Sequence, residues 1–253
     1  MKTQKTLIAA LTALTFITGC TCSQSAGKIE GTSWRELFNG KDLTGWVQKG
    51  GEAKYFVKDG CIVGETVNDA TRNSFLCTKE SFCDFILELE FIDDPDLNSG
   101  VQFRSETKLN DKGKDVVFGY QVEIDPSQEP FVPAPDKGRP ANLDEKGNAV
   151  PPGQPRCWTG GIYDEGRKGW LYPLNKDPKA RTAFKPGQWN CIRLEAVGNS
   201  IKAWINGMPA ADLTDSQTAC GFIGLQVHRL KEPVSKPLQV RFKNIRIKNL
   251  SGK

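Results

Sequence analysis

Short runs of alternating apolar and polar residues recur along this 253-residue chain, each closed off by Gly, Asn, Asp or Pro. Phe82–Phe91 (FCDFILELEF) sets Leu87, Leu89 and Phe91 against Glu88 and Glu90, and Trp189–Ala196, Ser200–Ile205 and Leu238–Ile247 repeat the pattern. A period of two puts alternate side chains on opposite faces of an extended chain, so these runs predict strands with one face buried. Between Ile205 and Met208, Asn206-Gly207 supplies the two residues that tolerate positive φ at a hairpin tip. Long stretches with the 3.6-residue period of a helix do not occur. The pattern predicts an all-β fold, a β-sandwich or jelly roll, as a single domain over residues 33–250. One segment departs from it: residues 126–157 hold eight of the 15 prolines. Proline cannot donate to a strand ladder, so this is a long loop, of a length often used to wall a site.

The N-terminus has its own layout. Lys2 and Lys5 precede an apolar run from Leu7 to Ile17, and Ile17-Thr18-Gly19-Cys20 resembles a lipobox. Residues 1–20 are therefore expected to be a lipoprotein signal peptide, with lipid on Cys20, and residues 21–32 a polar tether. The expected location is the bacterial cell envelope, on the periplasmic face or the outer membrane, with membrane contact through the lipid anchor only. Export separates the protein from cytosolic nucleotide cofactors, which leaves hydrolytic, eliminative or purely binding functions. A formal charge of +4 is spread thinly, with no basic patch interleaved with aromatics, so no nucleic-acid partner is expected. Of eight cysteines, seven remain once Cys20 is lipidated. They show no CxxC spacing, and one histidine cannot complete a zinc site. Cys61, Cys191 and Cys220 are expected as small buried hydrophobes rather than parts of a disulfide framework.

Parity sharpens the functional reading. NSGVQFRS (98–105) places Gln102 and Arg104 on one side of a strand, and YQVEID (120–125) does so with Gln121, Glu123 and Asp125. GLQVHRL (224–230) does the same with Gln226 and the chain's only histidine, His228. Three strands thus each set an amide two residues before a charged or titratable group. Amides carry donors and acceptors suited to hydroxyls, so a shared cleft is expected rather than three solvated faces. An aromatic cluster, Trp158, Tyr163, Trp170 and Tyr172, follows the long loop and could stack on sugar rings. Glu123-Ile124-Asp125 resembles the Glu-x-Asp-x-Glu strand of jelly-roll retaining glucanases. The third acid is missing, however: Ser127 and Gln128 follow, and Pro126 interrupts the strand. A retaining pair about 5 to 5.5 Å apart is thereby disfavoured. Asp93-Asp94-Pro95-Asp96 is read as turn chemistry rather than a calcium loop.

Taken together, FNGKDLTGW (38–46), NSGVQFRS, YQVEID, TGGIYDEGRKGW (159–170) and GFIGLQVH (221–228) resemble the 3-keto-disaccharide hydrolase domain family, in order, over nearly all of residues 33–249. The resemblance implies a concanavalin-like jelly-roll β-sandwich that cleaves the glycosidic bond of 3-keto-glycosides and 3-keto-disaccharides. A ketone at carbon 3 acidifies the carbon-2 hydrogen, and the resulting enolate can expel the aglycone from carbon 1. Such a route needs a base, a group to stabilise the enolate oxygen and an acid for the leaving group, not two carboxylates flanking the glycosidic oxygen. The expected roles are His228 as base or as holder of an electrophile, Glu123 as second acid/base and Arg104 on the enolate. Gln102, Gln121 and Gln226 would bind hydroxyls, Trp158 and Tyr163 would face the sugar, and Asp125, Asp164 and Arg167 would form the rim. No cofactor is required, although a divalent metal could be held by Glu123, Asp125 and His228. The competing readings are a non-catalytic carbohydrate-binding module on a lipid anchor, and an envelope structural protein without sugar affinity.

Overall fold

The computed structural model describes residues 33–126 and 158–250. The expected signal peptide, the expected lipidation site at Cys20, the expected tether and all but Pro126 of the proline-rich segment lie outside the described residues. The strands, in chain order, are β1 (Arg35–Glu36), β2 (Trp46–Gly50), β3 (Lys54–Lys58), β4 (Cys61–Glu65) and β5 (Ser74–Thr78). They continue with β6 (Phe85–Asp93), β7 (Ser99–Leu109), β8 (Asp115–Ile124), β9 (Ile162–Glu165) and β10 (Gly169–Tyr172). Last come β11 (Asn190–Val197), β12 (Ser200–Ile205), β13 (Met208–Thr214), β14 (Phe222–Val227) and β15 (Gln239–Asn249). One sheet runs β13-β12-β11-β6-β15-β4-β3, with β1 on β15, and the other runs β10-β9-β8-β7-β14-β5-β2. Pairing is antiparallel, so the fold is an all-β jelly-roll sandwich.

The core forms where the apolar parities meet. Leu87, Leu89 and Phe91 of β6, Ile192 and Leu194 of β11, and Phe242 and Ile247 of β15 face Val101, Phe103, Tyr120, Val122 and Leu225 of the second sheet. The opposite parity of β6 carries Glu88, which bridges Arg193 and Arg246 on its two neighbours. That cross-strand pairing is why two glutamates can sit in a central strand. The Asn206-Gly207 tip forms as expected, with φ of 50° and 81°.

Two features of the second sheet position the site. The β7–β8 register slips between Phe103 and Glu106, and a bulge there bends the hairpin beyond it. Gly119 sits in the bend at φ +140°, where a Cβ would come within 2.3 Å of Ser105 Oγ and 2.7 Å of Ser105 Cα. The bent hairpin folds over the outer face of its own sheet, where Val117 packs on Phe75, Cys77 and Phe222. Arg72 ties it down, donating from one guanidinium nitrogen to the Asp115 carbonyl and from the other to that of Gly50.

The cysteines correct an expectation. Cys61 is buried and free, but Cys220 is joined to Cys83, linking the start of β6 to the start of β14, and Cys191 is also disulfide-bonded. Spacing along the chain could not reveal the first pair because 137 residues separate its partners.

Candidate active site

Beside the folded-over hairpin, the outer face of the second sheet opens into a cleft of about 820 Å³. Gln121, Glu123 and Gln226 line its floor; Tyr163, Glu165 and Trp170 stand on the β9–β10 side. Pro95–Asn98, Asp125 and His228–Lys231 close the other sides. The expected convergence of three strands is therefore present. The face is not solvated: Gln102, Gln121 and Gln226 are at most 1% exposed and Glu123 is 5% exposed.

The floor is a directed hydrogen-bond chain. Both carboxylate oxygens of Glu123 accept amide N–H groups, Oε1 from Asn98 Nδ2 at 2.6 Å and Oε2 from Gln121 Nε2 at 2.7 Å. With its nitrogen committed to Glu123, Gln121 must present Oε1 to Gln102 Nε2, which donates at 2.8 Å. Gln102 Oε1 in turn accepts from Ser105 Oγ at 2.6 Å. Each amide has one oxygen and one NH2, so fixing one end orders the whole row. Gly100 lies in the same row on β7, and a Cβ there would fall 2.4 Å from Gln121 Cδ. Its bare backbone is the space in which the Gln121 side chain lies.

Gln226 differs from the other two amides. Its Oε1 is buried without a hydrogen-bond donor. An unpaired buried acceptor costs about 1–3 kcal/mol, which a donor from a bound molecule would recover. His228, at the end of β14, places Nδ1 2.8 Å from the Arg229 carbonyl. A carbonyl only accepts, so Nδ1 carries the hydrogen, and in the neutral ring Nε2 holds the lone pair.

Several expected residues lie elsewhere. Arg104 is the main correction. It occupies the β7 bulge at φ +45°, and the extra residue turns its side chain away from the Gln102 face. There it donates to the Cys83 and Gly198 carbonyls and to Asp84, and it is 1% exposed. Asp164 and Arg167 are also structural: Arg167 donates to Asp164 Oδ1 and Thr218 Oγ1 and lies over the Phe118 and Tyr120 rings. Trp158 is a core residue, edge-on to Trp170, whereas Tyr163 and Trp170 do line the cleft. Gln102 lies beneath the floor and acts through Gln121, not on the cleft itself. Glu123, Asp125 and His228 share the cleft, but no three His, Cys, Asp or Glu side chains converge as a metal-binding group among the described residues. Asp94 follows turn chemistry, accepting from the Gln239 backbone N–H, and its carbonyl closes a turn with Leu97.

Sequence reasoning missed Asn73, Asn98 and Glu165. Parity could have found two of them. Asn98 has the parity of Gln102 on β7, and Glu165 has that of Tyr163 on β9, which is the parity that excludes Asp164. Burial, reinforced by the charge of Asp164 and opposed by a hydrogen bond from Asn73, pushes the Glu165 carboxyl up to about 7.

The two sheets and the polar cleft define a jelly-roll sandwich with a ligand-sized cleft on the outer face of one sheet. The chain belongs to the 3-keto-alpha-glucoside-1,2-lyase-like domain family, which it matches over residues 33–248. A crystal structure from Parabacteroides distasonis, provisionally described as a glycosyl hydrolase, superposes with a TM-score of 0.56 at 20% identity, covering 86% of this chain and 94% of that one. A Bacillus subtilis protein of unknown function with a galectin-like fold gives 0.52 at 11% identity, covering 86% and 98%. At those identities the likeness concerns the fold. No curated protein matches the chain in sequence.

Proposed function

We propose that the cleft cleaves the glycosidic bond of sugars carrying a ketone at carbon 3. His228 Nε2 takes the carbon-2 proton, and the electron pair left behind forms an enolate with the carbon-3 oxygen. The enolate then restores the ketone while the carbon-1 to oxygen bond breaks. The aglycone leaves with a proton, and carbons 1 and 2 are joined by a double bond to which water can add. Glu123, held by Asn98 and Gln121, is the second proton-transfer group. Gln226 accepts a sugar hydroxyl at its unpaired oxygen, and Tyr163 and Trp170 flank the ring. With Arg104 in the β7 bulge, Arg229 and Lys231 are, among the described residues, the cationic ones that line the cleft and could face the developing oxyanion.

The observation that carries this reading is the pairing, in one cleft, of an imidazole of fixed tautomer with a carboxylate oriented by two amides. Membership of a family described by 3-keto-glucoside lyase chemistry supports it. Purified protein incubated with a 3-keto-glucoside should release the aglycone, and His228→Ala and Glu123→Gln should each slow release by about 10²-fold or more. Unchanged release in both variants would sink the assignment. Sugar binding without release would favour a carbohydrate-binding module, for which the open acceptor on Gln226 is the supporting observation.

A further inference from the structure

We propose that Glu165 supplies the proton to the departing aglycone, a role that rests on the reading above. Glu165 lines the cleft from β9 and shares a face with Tyr163. Its cross-strand partner on β8 is Gly119, which has no side chain to cover it. It is also joined to the proposed base by a short strut. Asn73 Oδ1 accepts the Arg229 backbone N–H at 3.1 Å, so the Asn73 amide can turn only one way. Its NH2 is then the end that hydrogen-bonds Glu165. His228 Nδ1 is bound to the carbonyl of the same Arg229. Two hydrogen bonds and one amide group span roughly 8 Å, so the Glu165 carboxyl stands about one sugar ring from the His228 segment.

The chemistry leaves this role unfilled. Proton removal at carbon 2 occupies His228, and Glu123, whose two oxygens both accept amide N–H groups, is set up to take a proton, not to give one to the leaving oxygen. The leaving oxygen at carbon 1 still needs a proton if the aglycone is an alcohol or another sugar. A carboxyl that keeps its proton near neutral pH can donate it to that oxygen as the carbon-1 to oxygen bond breaks, and it recovers a proton from water afterwards. The carboxyl's partial burial and the nearby Asp164 are the physical basis for holding that proton.

The test uses the full-length protein and two 3-keto-glucosides, one releasing 4-nitrophenol and one releasing methanol. Nitrophenolate leaves without a proton; methoxide does not. Glu165→Gln should slow methanol release by about 10²-fold or more while changing nitrophenol release by less than about fivefold. Glu165→Asp should recover part of the methanol release. Equal losses on both substrates, or no loss on either, overturn the role of Glu165 while leaving the proposed reaction intact. Failure of the wild-type protein to release either aglycone overturns the reaction and this role with it. If Glu165→Gln loses its cooperative thermal transition, the same two-substrate ratio is read on Glu165→Asp.

Discussion

Replacing Asp93 with asparagine should change the protein's stability in a way that depends steeply on pH. Asp93 ends β6 with 5% exposure, and its carboxylate oxygens have no hydrogen-bond partner beyond the weak pull of its own backbone N–H. Burial, with the charges of Asp94 and Asp125 added, pushes its carboxyl up to about 7, against a smaller opposing pull from its own backbone N–H. In the unfolded chain the same group titrates near 3.9. Between those values the native state binds more protons than the unfolded state, so stability is full below about pH 4 and falls as pH rises towards about 7. A gap of about three pH units corresponds to about 4 kcal/mol. Asp93→Asn cannot ionise and escapes this loss. Denaturant unfolding of both proteins, with disulfides intact, should therefore show the variant gaining about 4 kcal/mol on the wild type between pH 4 and pH 8. A difference that stays flat to within about 0.5 kcal/mol would refute the reasoning.

Arg104→Ala should lower unfolding free energy by about 3 kcal/mol, because the Cys83 and Gly198 carbonyls and Asp84 each lose a buried cationic donor, while kcat on a 3-keto-glucoside per folded molecule stays within about twofold. A loss of kcat with stability intact would return Arg104 to the chemistry. The double replacement of Cys83 and Cys220 by alanine should cost about 2–5 kcal/mol, since their bridge closes a long segment of chain. An unchanged thermal midpoint would count against it.

Much of the fold was legible because alternation is a local property. Whether a residue faces the core or its opposite depends only on its parity in an extended run, so the β6, β11, β12 and β15 ladders and the faces of Gln121, Glu123 and Gln226 could be read directly. Parity failed at Arg104, where one extra residue in β7 reversed the side to which the side chain points. On β9 parity holds, and it puts Glu165, not Asp164, on the face of Tyr163. Trp158 could not be told from Trp170 by composition, because whether an indole packs in the core or lines a cleft depends on what the second sheet places over it.

The sequence by itself determined a two-faced all-β sandwich, the amide-rich face of three strands and the family motifs, all from residue types and a period of two. Only the tertiary structure decided that this face is a buried cleft and that Gln102 orients Gln121 instead of touching a ligand. It also decided that Asn73 joins the β14 end to Glu165 and that Cys83 meets Cys220. Each of these depends on the β7 bulge or on contacts between residues distant in the chain. A bulge is a defect in the period that pattern-reading relies on, and long-range contacts form only when the two sheets close on a common core.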